Sequence, residues 1–260
     1  MAKKFYVVWK GRNTGIFSDW ASCKRSVDGF PGARYKSFPS KAEAESAFSG
    51  GNTDGNSSAS SGLRSTSKQS RSRQQTIKTY NAQEIDAMQE DTKIFTDGGC
   101  EPNPGEAGSG ISLYRDAQLA ELWYGLYNAH GTNNTAELNA FHQALILAER
   151  EIEAARSIAI FCDSKYTIQC ITQWAFNWQK KGWTKPGGEI KNLALIQEIF
   201  TLYLKLKDTV KIFHVNGHVG VEGNELADRM SLFAITQKET SFKIYDAPFD
   251  TGKILAMRAG

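Results

Sequence analysis

Four acidic residues in four separate local settings are the part of this chain that could do chemistry. Asp97 lies in IFTDGGCEPNPG, Glu137 in TNNTAEL, Asp163 in AIFCDSKY and Asp228 in GHVGVEGNELAD. Each stands where a strand ends, a helix starts or a loop meets a helix. If the fold brings them together, their like charges repel and disfavour joint ionisation, so the cluster needs cations.

The chemistry of such a cluster follows from its ligand atoms. Carboxylate oxygens are hard ligands that select hard divalent ions such as Mg²⁺ or Mn²⁺. Two Mg²⁺ ions held by carboxylates are common equipment for hydrolysing a phosphodiester, because they act on the attacking and leaving oxygens together. The residue types therefore predict a metal-dependent site for phosphodiester hydrolysis.

Three segments are predicted to position these carboxylates. Residues 92–97 (TKIFTD) form a short strand that ends on the aspartate, before a Gly-Gly and Pro-rich turn. Residues 157–163 (SIAIFCD) indicate a buried central strand that also ends on an aspartate. Residues 133–150 have helical periodicity, with Glu137 in the first turn. Carboxylates at strand ends are typical of sites on α/β sheets.

Each acid also has an ordinary structural interpretation. Glu137 lies three residues after Asn134, which is the spacing of a helix capping box. Asp97 precedes a glycine, and Asp-Gly is a common turn pair. Asp163, which a serine follows, would cap the next helix. Asp228 lies on a predicted helix, where acidic residues are usually solvated.

The four settings occur together and in order within a known pattern. From Thr92 to Ile235 the chain resembles ribonuclease H type I, through IFTDGGCEPNPG, TNNTAELNA, FCDSKY, a Trp- and Lys-bearing insert and VNGHVGVEGNELAD. The resemblance implies a ribonuclease H-like α/β fold, with a mixed five-stranded sheet flanked by helices. It also implies hydrolysis of the RNA strand of RNA–DNA hybrids, giving 5′-phosphate and 3′-hydroxyl products.

The family's catalytic residues carry over to named positions. Its metal-binding carboxylates fall on Asp97, Glu137, Asp163 and Asp228, and none of them is substituted. The implied cofactor is two Mg²⁺ ions per site in the substrate complex, with Mn²⁺ as a substitute. The family's loop histidine falls on His218. A lone loop histidine is usually unremarkable, but its ordinary pKa of about 6.5 suits proton transfer or product release near neutral pH.

The resemblance also implies where the hybrid binds. Asn103, Asn133 and Asn134 match positions that contact the minor groove, where 2′-hydroxyls distinguish RNA from DNA. Asn offers both a donor and an acceptor, although each of these residues also fits a turn or a cap. Thr132 aligns with a residue of the pocket for a DNA-strand phosphate, and Gly98 would let the phosphate backbone approach closely.

The insert at residues 174–191, WAFNWQKKGWTKPGGEIK, interleaves three Trp with four Lys. Aromatic and basic side chains on one projection suit contact with a nucleic-acid backbone, and the family carries a basic protrusion here. The residues predicted to contact the DNA strand are Trp178, Lys180, Lys181 and Trp183. The alternative is that Trp174 and Trp178, at i and i+4, pack the helix.

Charge divides the chain into parts. Residues 1–48 carry nine Lys and Arg against four Asp and Glu, residues 49–80 carry five against one, and residues 81–260 carry 17 against 23. Residues 81–240, the predicted catalytic domain, are therefore acidic, and the basic front supplies attraction for nucleic acid. Residues 49–80 are predicted to be a flexible Ser/Gly/Arg linker, because they have hardly any apolar surface to bury.

The first 48 residues resemble a second family, the hybrid-binding or viroplasmin-type N-terminal domain, through FYVVWKGRNTGIFSDW and FPGARYKSFPSKAEAESAF. The pattern predicts a three-stranded sheet with two helices, the second beginning at Lys41. The resemblance implies that Trp20, Tyr35 and Lys36 bind the hybrid; Ser37 stands where the family often has a further Lys. The alternative is that Trp20 and Tyr35 are core aromatics of a very small domain.

The remaining features concern membrane association, cellular compartment and partners. No apolar run approaches the roughly 18 residues of a membrane span, and the first residues are too broken for a signal peptide. Four cysteines without CxxC spacing indicate a reducing compartment without structural zinc. We expect a cytoplasmic monomer that binds RNA–DNA hybrid and no membrane, with no protein partner inferable. Residues 241–260 are a C-terminal tail that docks on the domain or serves a partner.

Other functions are weighed against this one. A hybrid-binding protein with a retired nuclease fold is disfavoured by the intact carboxylates. A resolvase or integrase acting on DNA is disfavoured by the TNNTAEL, DSKY and GHVG blocks, and a reverse-transcriptase fragment by the lack of room for a polymerase. The sequence leaves open whether the physiological substrate is a primer or an R-loop, and whether Mg²⁺ or Mn²⁺ is preferred.

Overall fold

The structure of the protein is a computed structural model that describes residues 4–28, 30, 32–49, 77–217, 220–246 and 248–260. The chain divides into two compact units, the first within residues 1–71 and the second within residues 72–260. The greater part of the predicted linker, residues 50–76, lies outside the described residues. None of the helices that the structure describes is long and apolar enough to cross a membrane.

The described residues of the first unit form an antiparallel three-stranded sheet, in the order β2-β1-β3, with two helices. The elements are β1 (Phe5–Lys10), β2 (Gly15–Phe17), α1 (Trp20–Val27), β3 (Arg34–Phe38) and α2 (Lys41–Ser49). The small core contains Val8, Cys23 and Val27. Ser40 accepts a hydrogen bond from the Glu43 N–H at 3.3 Å, so the predicted cap of α2 is confirmed.

In the described part of the second unit, seven strands form one mixed sheet in the order β10-β7-β6-β5-β8-β9-β4. The strands are β4 (Thr79–Tyr80), β5 (Thr92–Glu101), β6 (Gly105–Arg115), β7 (Gln118–Gly131), β8 (Ile158–Cys162), β9 (Val210–Val215) and β10 (Phe242–Ile244). The helices are α3 (Ala82–Asp86), α4 (Asn133–Glu153), α5 (Lys165–Gln169), a π-helical turn (Cys170–Trp174), α6 (Ala175–Lys180), α7 (Leu193–Leu206), α8 (Glu222–Gln237) and α9 (Thr251–Leu255).

The five long strands confirm the predicted sheet, and one short strand extends it at each edge. Strand β4 consists of the last two residues of the predicted linker, 49–80, and pairs in parallel with β9, so these two residues belong to the sheet rather than to the linker. Strand β10 pairs with β7, and its Phe242 ring stacks on Trp123 with centroids 5.5 Å apart. The predicted tail therefore docks on the domain. Neither short segment has enough alternating apolar residues to be recognised as a strand by itself.

Helices cover both faces of the sheet, because residues of its central strands alternate between the two sides. On one side α4 buries Leu138, Phe141, Ala144, Leu145 and Ala148 against Ile94, Ile111 and Ile160, which confirms the predicted apolar face of this helix. On the other side Ala227 of α8 packs with Phe95 and Phe161. Two hydroxyls fasten both helices to β6: Ser109 donates to the Ala136 carbonyl at 2.8 Å and Ser112 to the Gly223 carbonyl at 2.7 Å.

Two glycines allow the helices to approach the sheet without a side chain between them. A Cβ on Gly98 of β5 would lie 2.2 Å from the backbone nitrogen of Glu137 on α4. A Cβ on Gly110 of β6 would lie 2.1 Å from the Ala227 carbonyl oxygen on α8. Both distances are far below van der Waals contact, and the opposing atoms belong to helix backbones that cannot rotate aside. The backbone contacts at Gly98 and Gly110 therefore set the distances between sheet and helices.

We expect Gly110→Ala to destabilise the protein by about 1–3 kcal/mol, the usual cost of overpacking a well-packed core. Gly252→Ala, in helix α9, is the matched control, because its nearest non-neighbour atom lies 3.5 Å from an added Cβ and Ala favours the helix. Urea unfolding followed by circular dichroism measures both. Equal stability of Gly110→Ala and the wild type would contradict the backbone contact at Gly110.

Candidate active site

The register of the central strands brings two of the four carboxylates together. The parallel pairing of β5 with β8 ends at Thr96 and Cys162. Asp97 and Asp163 are the next residues of the two strand segments, so they lie side by side where the pairing of β5 with β8 stops. Strand β5 continues past Asp97 to Glu101, because β6 pairs along its whole length. The expectation that this strand ends at Asp97 is therefore wrong, and Asp97 is not a turn residue.

The two close-packed helices bring the other two carboxylates. The contact at Gly98 places Glu137 beside β5, and Asp97 pairs with Gly110, over which α8 carries Asp228. The exposed fraction is 7% for Asp97, 5% for Glu137 and 2% for Asp228. The interpretation of Asp228 as a solvated helix residue is therefore wrong.

The capping interpretations of Glu137 and Asp163 fail because neighbouring hydroxyls make the caps. Thr132 caps α4 by accepting from the Thr135 N–H at 3.2 Å, so Glu137 lies in the second turn rather than the first. Ser164 caps α5 by accepting from the Thr167 N–H at 3.3 Å. Asn134 is exposed on the first turn of α4 and is not its cap. Glu137 and Asp163 are left to face the cleft.

Two carboxyl groups of this cluster, those of Asp97 and Glu137, have raised pKa values. Burial, followed by the charges of Asp163 and Asp228, raises the pKa of Asp97 well above its usual range. Burial, followed by the charges of Asp97 and Asp163, does the same to the pKa of Glu137. Both shifts have the sign expected of carboxyl groups that share one buried place. A cation bound among them would restore the ionised forms.

The donor atoms fit a hard divalent cation. Ligand atoms of Glu137, Asp163 and Cys162 lie within 4.8 Å of one another. Burial, aided by the neighbouring carboxylates, raises the pKa of the Cys162 thiol well above its usual range, so this sulfur stays protonated and the oxygens remain as ligands. Oxygen Oε2 of Glu137 is buried without a hydrogen-bond partner among the described residues. A buried acceptor in that condition is costly unless a ligand engages it.

The cleft of about 320 Å³ above the carboxylates includes the end of the tail. The Gly260 N–H donates to the two oxygens of Asp228 at 3.1 and 3.2 Å, and Arg229 also pairs with this carboxylate. Arg258 forms an ion pair with Glu101 at the rim. On the other side Asn224 donates to Asp163 Oδ2 at 3.2 Å. The tail therefore forms one wall of the carboxylate cleft, a contact that no motif in the sequence indicated.

A second cleft, of about 360 Å³, lies beside the start of α4. It contains three predicted substrate residues, Asn103, Thr132 and Asn134, while the predicted Asn133 and Gly98 line the carboxylate cleft. Asn103 links the two clefts, because its Oδ1 accepts from the Asn133 N–H at 3.3 Å. The other residues lining this second cleft are Tyr166, Trp174, Trp178, Lys185, Ile190, Lys191 and Asn192.

The Trp- and Lys-rich insert divides its residues between this cleft, the core and the surface. Trp178 lines the cleft with Trp174, their ring centroids 5.9 Å apart. Trp183 is half-buried against Phe200, with centroids 5.9 Å apart. Lys180 and Lys181 are exposed and do not line the cleft, whereas Lys185 and Lys191 do. The spacing alone could not show which lysines turn toward the groove, since this depends on how the chain leaves α6.

The predicted hybrid-binding residues of the first unit are exposed. Trp20 is 44% and Tyr35 46% exposed, with ring centroids 5.8 Å apart, and Lys36 is also exposed. The alternative that Trp20 and Tyr35 are core aromatics is therefore wrong. Their role in binding the hybrid remains a prediction.

The predicted loop histidine, His218, lies outside the described residues. The glycine before it is described: a Cβ on Gly217 would lie 2.8 Å from Asp163 Oδ2. The loop therefore departs from a point in contact with the carboxylate cluster. The role of His218 in proton transfer or product release remains a prediction.

The raised pKa values predict how stability depends on pH without metal. A carboxyl whose pKa is higher in the folded than in the unfolded state makes the folded state bind more protons, so stability falls as pH rises from its unfolded pKa. We expect Asp97→Asn to raise the unfolding midpoint in EDTA at pH 7 and to lose this advantage near pH 4, where the unfolded carboxyl is about half protonated.

Differential scanning calorimetry at the two pH values tests this expectation. Glu153→Gln is the matched control, because Glu153 is an exposed acid at the end of α4 and should shift the midpoint little. A midpoint for Asp97→Asn below that of the wild type at pH 7 would contradict the cost that burial and the neighbouring charges are expected to impose on the Asp97 carboxylate.

Both units of the chain match known protein families. Residues 89–235 match the family described as RNase H, and residues 4–48 match the Ribonuclease H1 N-terminal domain. Ribonuclease H1 of Mus musculus is 31% identical over 262 residues, with 90% of each chain covered. Ribonuclease H of Pseudomonas putida is 37% identical over 145 residues, which cover 55% of this chain and 93% of the relative.

Among solved structures, the chain is similar to LC9-RNase H1, described as a type 1 RNase H with the type 2 active-site motif. The TM-score is 0.50 at 21% identity, over 64% of this chain and 81% of that chain, and this likeness concerns the fold alone. The family to which both matches and the full-length relative point agrees with the cluster of buried carboxylates found beside the central strands β5 and β8. The chain therefore belongs to the ribonuclease H family, as an endoribonuclease of the ribonuclease H1 type that carries the N-terminal domain in front of its catalytic domain.

Proposed function

We propose that the carboxylate cleft hydrolyses the RNA strand of an RNA–DNA hybrid with two Mg²⁺ ions, leaving 5′-phosphate and 3′-hydroxyl ends. The observation that carries this proposal is the meeting of Asp97, Glu137, Asp163 and Asp228 at one edge of the sheet, three of them at most 7% exposed. The coarser activity, ribonuclease H action on hybrids, is what the family and the full-length relative have in common.

Asp97 has the central place among the four acids. Its pKa depends on the charges of both Asp163 and Asp228, and that of Glu137 depends on Asp97 in turn. These four residues would hold the ions. When bound, two Mg²⁺ ions would supply an activated water and stabilise the charge that develops on the leaving oxygen. Without cations the carboxylates would repel a phosphodiester, so metal and substrate are expected to bind interdependently.

The two clefts suggest how the hybrid is read. Asn103 and Asn134 present amide groups that both donate and accept, which suits the 2′-hydroxyls on the wide minor groove of RNA. Asn133 borders the carboxylate cleft, so readout of the RNA strand and its hydrolysis would occur side by side. Gly98 and Gly99 leave the floor of that cleft without bulky side chains, which permits close approach of the phosphate backbone.

The second cleft combines aromatic and basic groups suited to the DNA strand. Trp178 would contact sugars or bases, and Lys185 and Lys191 join the predicted Lys180 and Lys181 as phosphate partners. Thr132 lines this cleft and would contact a DNA-strand phosphate there; its hydroxyl also contacts the Thr135 hydroxyl at 2.7 Å and accepts from the Thr135 N–H at 3.2 Å. Trp183 would act indirectly, by holding the insert in place, because its ring packs on Phe200.

The N-terminal unit would add affinity rather than chemistry. Trp20 and Tyr35 form an exposed aromatic pair, with Lys36 next in sequence, which suits contact with sugars and phosphates. A tether of about 30 residues would hold the catalytic unit near a bound hybrid at roughly millimolar effective concentration.

The second candidate is a hybrid-binding protein without activity. The N-terminal unit alone would support it, whereas the intact and buried carboxylate cluster argues for hydrolysis. A cleavage assay decides between the two candidates. It uses a labelled RNA strand in three forms: single, paired with RNA and paired with DNA. Each form is tested with Mg²⁺ and with EDTA. Cleavage of the hybrid alone, and only with Mg²⁺, is the expected result; tight hybrid binding without cleavage would favour the second candidate.

We expect Glu137→Gln and Asp97→Asn each to lower kcat on the hybrid by at least about 10³-fold, since several kcal/mol of transition-state stabilisation depend on the bound ions. Hybrid binding in a gel-shift assay should survive, because the N-terminal unit and the second cleft are unchanged. Glu153→Gln, an exposed acid on the same helix as Glu137, should keep full activity. Near wild-type cutting by Asp97→Asn would overturn the assignment.

We expect Trp20→Ala to raise KM on long hybrids roughly tenfold, since one base–aromatic contact is worth about 1–3 kcal/mol, and to leave kcat nearly unchanged. Deletion of residues 1–75 should have at least the same effect. Lys41→Ala is the control within the unit, because Lys41 is exposed and forms an ion pair with Glu45 on α2. An unchanged KM after the deletion would show that the N-terminal unit adds no affinity.

A further inference from the structure

Strand β4 lies outside the residues that match the catalytic family, 89–235, yet it is hydrogen-bonded into the active-site support. Its two residues pair with β9, Thr79 opposite His214 and Tyr80 opposite Val215. His214 is 3% exposed and its ring makes two contacts. Nδ1 lies 2.8 Å from the Thr79 hydroxyl, and Nε2 lies 3.1 Å from the main-chain carbonyl oxygen of Asp163.

These contacts determine the tautomer of the ring. A carbonyl oxygen can only accept, so Nε2 must carry the proton and donate it to the Asp163 carbonyl. In the neutral ring Nδ1 is then an acceptor, and the Thr79 hydroxyl must donate to it. The three groups therefore form a directed chain from Thr79 through His214 to Asp163, in which both ring nitrogens are used.

The segment that carries Thr79 is itself held in place. The Tyr80 ring packs on Phe213 with centroids 4.8 Å apart, and Lys78 lies 4.2 Å from the centre of the same tyrosine ring. Helix α3 follows at once with a complete capping box between Asn81 and Glu84. Thr79 thus sits on a short segment fastened on both sides, which gives its hydroxyl a defined place.

The Asp163 carbonyl lies where the backbone has lost the hydrogen bonds of the strand ladder. Asp163 follows β8 directly, and beyond Cys162 neither the parallel pairing with β5 nor that with β9 continues. The ladder therefore stops one residue before the carboxylate. The hydrogen bond from the ring Nε2–H of His214 to the Asp163 carbonyl replaces the next ladder hydrogen bond on the β9 side. It restricts the backbone from which the Asp163 side chain projects.

We propose that His214 is a positioning residue that holds the Asp163 backbone for metal binding, and that Thr79 orients its ring. Ligands that are fixed by hydrogen bonds to neighbouring groups bind metal more tightly, and loss of such a partner typically costs about 10–100-fold in affinity. This proposal rests on the proposed function, in which Asp163 is one of the metal-holding carboxylates. It makes the last two residues of the predicted linker, which form β4, a support of the carboxylate cluster.

The test uses side chains that keep one of the two contacts at a time. In the full-length chain, His214→Gln places an amide N–H near the position of Nε2, whereas His214→Asn places its amide near Nδ1. Thr79→Val removes the hydroxyl at nearly constant shape, and Thr79→Ser retains it. Mn²⁺ binding without substrate is measured by isothermal titration calorimetry, and the unfolding midpoint in EDTA is recorded for each variant.

We expect His214→Asn to weaken Mn²⁺ binding roughly tenfold, at the low end of losses for such partners, and His214→Gln to stay within about threefold of the wild type on the same scale. Thr79→Val should weaken binding severalfold, and Thr79→Ser should restore it. Cleavage of the hybrid should show the same order in its Mg²⁺ requirement, with KM for the hybrid unchanged once Mg²⁺ is saturating.

A merely structural role gives a different result: His214→Gln and His214→Asn would lower the unfolding midpoint equally and leave Mn²⁺ affinity unchanged, which would overturn the proposal. If both His214 variants fail to fold, unchanged Mn²⁺ affinity of Thr79→Val would overturn it. Asp163→Asn distinguishes failure of the positioning role of His214 from failure of the metal role of Asp163. Loss of Mn²⁺ binding only in Asp163→Asn refutes the positioning role alone, whereas normal binding in Asp163→Asn refutes the metal role of this carboxylate.

Discussion

Mutual repulsion of carboxylates held in one buried cleft is the interaction on which this structure depends. Burial, followed by the charges of acidic neighbours, raises the pKa of both Asp97 and Glu137. The packing does not let them move apart, because Gly98 and Gly110 bring helix backbones directly onto β5 and β6. Rigid backbone contacts thus maintain an arrangement of charge that is unfavourable by itself and that a divalent cation makes favourable.

The distribution of charge over the chain follows from the same constraint. A domain that concentrates carboxylates at its reactive edge is a poor electrostatic partner for nucleic acid. Basic groups that do not pair with these carboxylates include Lys185 and Lys191 of the second cleft, and the N-terminal unit is basic and exposes Trp20 and Tyr35. In the proposed function, binding of the polyanion and its hydrolysis would therefore use different surfaces of the protein.

Segments on both sides of the family-matched region complete the catalytic unit. Strand β4 contacts the Asp163 backbone through His214, and the tail reaches Asp228 through the Gly260 N–H. Both additions meet the sheet at strands whose outer edges would otherwise be unpaired, and covering such edges also removes a route to aggregation. Asp163 and Asp228 thus have contacts with parts of the chain that lie outside the family-matched residues 89–235.

The sequence by itself determined the four carboxylates, the strand before Asp163, the apolar face of α4 and the two families, because these depend on residue types at short spacing. Only the tertiary structure decided the rest. Thr132 rather than Asn134 caps α4, since the cap depends on where the chain enters the helix. Asp97 lies within a strand because β6, the next strand along the chain, pairs with β5 beyond it. The contacts of His214 and Gly260 join residues far apart in sequence, and such pairings follow from packing, which local patterns do not encode.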